Sequence, residues 1–85
     1  MAVFEVEIRV MPRATLLDPQ GQAVQHALAA LGFGGVEGVR VGKALHLTVQ
    51  APDHATAERE ARAMCERLLA NPVTEDFAVT VGAAP

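Results

Sequence analysis

A chain of 85 residues, 51% of them apolar, has room for one domain with one small core, and such a core leaves little stability in reserve. Its net charge of −3 argues against nucleic acid, whose binding rests on Lys and Arg contacts to phosphate; its single cysteine, Cys65, excludes an internal disulfide and fits a reducing cytosol. Glu5, Glu7 and Arg9 interrupt the run that a signal peptide would need, and no other stretch reaches membrane-spanning length, so a cytoplasmic protein is expected.

Phe4, Val6, Ile8 and Val10 alternate with Glu5, Glu7 and Arg9, which predicts a half-buried strand with one wet face. Pro12 ends its ladder, and residues 11–17 read as an irregular loop. Asp18 followed by Pro19 is an N-cap with proline at the first helical position. Val24, Ala27, Leu28 and Leu31 give the helix one apolar stripe. Gly32 stands where a left-handed capping residue belongs, with Phe33 placed to fold back on Leu28.

Val36, Val39 and Val41 predict a second strand interrupted at Gly38, closed by a type II′ turn at Gly42-Lys43. Leu45, Leu47 and Val49 alternate with His46, Thr48 and Gln50 in a third strand. Asp53 caps a second helix with a buried stripe of Ala57, Ala61, Met64 and Leu68, joined by Cys65 and Leu69, and an outer Glu58–Arg62 pair. Asn71-Pro72 stops it, and Phe77, Val79 and Val81 mark a last strand. Residues 1–82 then form a single domain and 83–85 a frayed tail.

The order βαββαβ predicts an α+β two-layer sandwich of the ferredoxin-like kind. A four-stranded antiparallel sheet, in the order 4-1-3-2, would carry both helices on one face. The other face would show Glu5, Glu7, Arg9, His46, Thr48 and Gln50.

Familiar chemistry does not fit. Gly42-Lys43 lacks the glycine spacing, the hydroxyl residue and the following helix of a phosphate loop, and Gly32, Gly34 and Gly35 follow a helix where a dinucleotide fingerprint follows a strand. His26, His46, His54 and Cys65 have no zinc-site spacing. Cys65 falls on the apolar stripe and reads as a small core residue. Glu75 and Asp76, adjacent on a strand entry, point to opposite faces and read as solvated. Phe4, Phe33 and Phe77 fall at predicted core positions, so the sheet offers no aromatic platform for RNA bases.

Four pieces taken together, LLDPQG, the helix ending LGF-x-GV, the VRVGK turn and ANPVTEDF at 70–77, resemble the PurS family in order and separation. That family is the small subunit of bacterial and archaeal phosphoribosylformylglycinamidine (FGAM) synthase, and the similarity runs from about Val3 to Val81. The loop at Arg13-Ala14-Thr15 departs from the family's common Lys-Pro-Gly-like turn.

The resemblance implies a non-catalytic subunit of de novo purine biosynthesis, without cofactor or metal of its own, in a glutamine-dependent, ATP-driven C–N ligase complex. It would be a homodimer or tetramer that joins a PurL-like synthetase, which uses ATP and Mg²⁺, to a PurQ-like glutaminase, and supports ammonia transfer between them. Matching positions make Asp18, Gln20, Gly21, Arg40, Lys43 and Asn71 the candidate partner-interface residues, with no catalytic residue among them. The alternative is a ligand-binding regulatory domain of the ACT type, which shares the βαββαβ order.

Overall fold

The computed structural model describes residues 1–13 and 18–83. Its elements are β1 (Ala2–Pro12), α1 (Pro19–Ala30), β2 (Lys43–Ala51), α2 (His54–Met64) and β3 (Glu75–Ala83). The fold is α+β, with an antiparallel sheet in the order β2-β1-β3. This is the predicted order without its outermost member, because residues 36–42 are irregular and do not join the sheet.

The alternation read from β1 holds. Val6, Ile8 and Val10 are fully buried, and Leu45, Leu47, Val49, Phe77, Val79 and Val81 pack around them from the flanking strands. On the opposite face the register sets Glu5 opposite Thr48 and Glu7 opposite His46. There Thr48 donates to Glu5 at 3.2 Å and Arg9 donates to Glu7 at 2.8 Å. Pro12, opposite Glu75, closes the ladder. Beyond it the shape of residues 14–17 lies outside the described residues, as do residues 84–85 of the predicted tail, while Ala83 still pairs with Phe4.

The second helix covers the core face. Asp53 accepts from the Thr56 amide at 2.7 Å, and Arg62 reaches Glu58 at 3.7 Å on the outer surface. His54 lies edge-on to Phe4, with ring centroids 6.2 Å apart, and its Nε2 is 3.1 Å from the Val81 carbonyl, which fastens the start of α2 over β1 and β3. Ala57, Ala61 and Cys65 are the buried side, and burial pushes the Cys65 thiol pKa up, which leaves it a poor nucleophile.

After Met64 the helix widens into a π-turn, Cys65–Leu69, closed by the Ala70 amide on the Cys65 carbonyl at 3.0 Å. A wider turn delays each residue's return to the core face. Leu69, a position of the predicted stripe, and Ala70 pack on the core, while Leu68 is turned outward and 82% exposed; Met64, ahead of the wide turn, lies at the edge of the stripe and is also exposed.

The first helix departs furthest from expectation. Its termini form as read: Asp18 caps it, and Gly32, at φ 99°, begins a Schellman ending in which the Phe33 amide bonds Leu28 O and the Gly32 amide bonds Ala29 O. Yet α1 makes no more than marginal contact with the sheet. The chain spans 51 × 30 × 14 Å with a radius of gyration of 16.5 Å, where a compact chain of this length would have about 12 Å. Leu31 is 74% and Phe33 59% exposed, so Phe33 is a surface residue and not a core one. The apolar stripe exists, but among the described residues only Leu28 of it is half-buried, and Val24, Ala27 and Leu31 stay exposed.

Because Ile8 sits at the centre of the buried row of β1, Ile8→Ala should destabilise the fold by about 2–5 kcal/mol. A urea titration followed by circular dichroism should show the midpoint falling accordingly.

Candidate interface corner

Where β1 ends, three segments meet. Pro12 and Arg13 lie between the segment 36–42 with the start of α1 on one side, and the turn that leads into β3 on the other. Proline has no amide to donate, so the ladder stops there, but its carbonyl still accepts, and the Arg40 guanidinium donates to it. One residue on, the Arg13 amide donates to Thr74 O at 3.0 Å, its guanidinium donates to Pro72 O at 2.6 Å, and its Nε lies 3.7 Å from Asp76.

Asp18 ties the first side together. One carboxylate oxygen accepts from the Gly21 amide at 2.9 Å, as a helix cap does, while the other accepts from the Val41 amide at 3.0 Å. A single side chain thus joins the base of α1 to the segment before β2. The Gly21 amide, then the Val41 amide, and the positive charge of Arg40 hold its pKa below the ordinary carboxylate value. It remains ionised near neutrality and has no proton to give. Gly21 is buried because the Val39 carbonyl approaches so closely that a Cβ would collide with it, and that Cβ would also stand 2.7 Å from Asp18 Oδ2. Gln25 adds a bond to Val36 O at 3.3 Å.

These ties explain why residues 36–41 are not a strand: the Val41 amide serves the helix cap and not a ladder. Nor is there a hairpin at Gly42-Lys43. Gly42 rests against Val10 and Met11, and Lys43 begins β2 opposite Val10.

The sequence candidates therefore fall in one region. Asp18, Gly21, Arg40 and Lys43 share the corner, and Gln20 is exposed on the first turn of α1. Asn71 lies across Pro12–Arg13, where its amide donates to Glu75 at 2.7 Å and its side chain accepts from the Val73 amide at 3.0 Å, so it shapes the turn into β3. Arg40, read as unnecessary to the local turn, braces the end of β1. Arg13 was missed: its partners Pro72 and Asp76 are far along the chain, and no local pattern announces them. Among the described residues no group of three or more His, Cys, Asp or Glu could hold a metal ion.

A family model described as "Phosphoribosylformylglycinamidine (FGAM) synthase", PurS, matches residues 5–83. The chain belongs to the PurS family. It is similar to the FGAM synthase subunit PurS of Synechocystis, 45% identical over 80 residues that cover 94% of this chain and 80% of that one. The Bacillus subtilis PurS is 41% identical, with 88% of each chain covered. Among solved structures, Methanocaldococcus jannaschii PurS superposes with a TM-score of 0.86 at 28% identity, over 96% of this chain and 99% of that one. A chain in the Thermotoga maritima PurLQS structure gives 0.89 at 33% identity, over 96% and 100%.

Two outcomes follow for this corner. Gly21→Ala should cost about 1–3 kcal/mol by forcing Val39 and Asp18 apart, measured by urea unfolding. Because the folded pKa of Asp18 is depressed, the unfolded chain binds its proton first on acidification, so the carboxylate's contribution is full above about pH 4 and is lost as the pH falls further. Asp18→Asn should remove that dependence, flattening the acid limb of stability against pH relative to the parent chain.

Proposed function

We propose that this chain is a non-catalytic subunit of FGAM synthase in de novo purine biosynthesis. In this reading it bridges a PurL-like synthetase and a PurQ-like glutaminase. It thereby supports ammonia transfer for the ATP- and glutamine-dependent conversion of formylglycinamide ribonucleotide to formylglycinamidine ribonucleotide. The observation that carries the reading is α1, a capped helix held off its own sheet with Val24 and Leu31 uncovered. Apolar surface displayed on a braced arm is a device for assembly.

The related proteins support it. The M. jannaschii PurS is described as one of the subunits of formylglycinamide ribonucleotide amidotransferase in the purine biosynthetic pathway, and the T. maritima relative was solved as PurLQS. A second copy of the chain covers the α1 stripe, giving a homodimer or tetramer. ATP and Mg²⁺ belong to the synthetase partner, and the assembly works in the cytoplasm. Among the described residues no helix is long and apolar enough to cross a membrane.

Reconstitution tests this directly. The synthetase and glutaminase of the same organism should make product from ammonia with or without this chain, and from glutamine only when it is added. Restoration of neither complex nor glutamine-dependent rate would refute the bridging role. Within the corner, Lys43→Ala should leave thermal unfolding unchanged and weaken capture of the partner subunits, whereas Arg40→Ala should also lower stability, because its guanidinium holds Pro12.

A further inference from the structure

The turn that leads into β3 is held more firmly than its own closure requires. Within residues 71–75 the Asn71 carbonyl accepts from the Thr74 amide at 3.1 Å and from the Glu75 amide at 2.8 Å. The Asn71 side chain accepts from the Val73 amide at 3.0 Å, and the Glu75 side chain accepts from the Asn71 amide at 2.7 Å. Arg13 then adds a brace from the end of β1, through its amide on Thr74 O and its guanidinium on Pro72 O. A turn already closed gains little shape from that brace. What the brace fixes is the turn's place against the sheet. Near its tip Val73 is 76% exposed. An apolar side chain held in water on rigid backbone has little ordering left to lose when another surface covers it. Beside it opens a cleft of about 500 Å³, lined by Arg13, Glu66, Pro72, Glu75, Asp76 and Phe77.

We infer that this turn is a docking element for one partner subunit of the complex, with Val73 as its apolar contact and Arg13 as the positioning residue. The inference rests on the bridging reading above and adds to it the surface and the chemistry of one contact. Charge selects the occupant. Three carboxylates border the cleft against one guanidinium, and that guanidinium is already engaged with Pro72 and Asp76. Glu66 has no ion-pair partner among the described residues. A second copy of this chain, meeting the cleft across a two-fold axis, would set the same carboxylates against themselves. The complement is therefore a different protein, with an apolar socket for Val73 and a lysine or arginine beside it. The stem of that basic side chain lies along Pro72 and Phe77, and its charged head meets Glu66. Asn71 contributes by shaping the turn, and Arg13 by setting where the turn stands.

Capture of the synthetase and of the glutaminase of the same organism by the full chain, each titrated separately, tests this. Val73→Asp and Glu66→Lys should each weaken capture of the same one of the two subunits, on the order of tenfold. Both positions are exposed, so thermal unfolding and the light-scattering mass of the isolated chain should not move. Arg13→Gln should weaken that capture too, and Arg13→Lys should restore much of it, since one ammonium still reaches the Pro72 carbonyl. Arg13→Gln added to Val73→Asp should cost nothing further, because Arg13 acts through the turn; a general loss of structure would add instead. Parent-strength capture of both subunits by Val73→Asp or by Glu66→Lys would overturn the inference and leave the bridging reading standing. So would an additive loss in the Arg13–Val73 pair, or a changed mass for Val73→Asp, which would give the turn to a second copy. A parent chain that captures neither subunit would overturn the bridging reading and this inference together.

Discussion

An 85-residue chain can bury one row of large side chains fully, and here that row is Val6, Ile8 and Val10 on the central strand. One helix suffices to cover it. With α2 seated through Ala57, Ala61 and Cys65, three small side chains that bring the helix close to the sheet, the core is closed without α1. Every departure from the compact sandwich follows from that economy. Leu45, Leu47 and Val49 on the flank remain only half-buried, and the first helix has no row of its own to cover.

Local chemistry made much of this legible in the residues. The alternation of β1, β2 and β3, the aspartate caps at Asp18 and Asp53 and the Schellman ending at Gly32 are short-range devices, complete within a few residues, and each forms where the pattern places it. What the pattern could not convey was competition between distant partners. Residues 36–41 read as a strand, but the donor that would have begun a ladder is taken by a carboxylate 23 positions away. A single wide turn after Met64 keeps only Leu69 of the two expected leucines at the core and turns Leu68 outward, which a 3.6-residue periodicity cannot anticipate. The capping pattern sets Phe33 to fold back on Leu28, but its exposure follows from a helix that stands clear of the sheet.

The candidate site was legible as a set of positions and not as an arrangement. Asp18, Gly21, Arg40 and Lys43 are scattered over 26 residues of sequence, yet Asp18, Gly21 and Arg40 form one knot that fixes the base of α1 to the end of β1, with Lys43 at its edge. This assigns most of them a mechanical part before any partner is considered. Asp18 is a clamp, Gly21 is the space the clamp needs, and Arg40 is a stay against the terminal carbonyl of the strand. Lys43 and Gln20 are left with their side chains in solvent.

The attachment of α1 has a geometrical consequence. Its 12 residues make a rod about 18 Å long, fastened at one end. A tilt of roughly 10° at the knot would swing the far end, with Leu31 and Phe33, by about 3 Å, close to the width of a methyl group. The precision with which the far end meets another surface is therefore set at Asp18, a residue that surface need never touch. Amplification of this kind makes the fold sensitive to small changes at the knot, and a binding event there would be felt at the tip as a displacement and not as a charge.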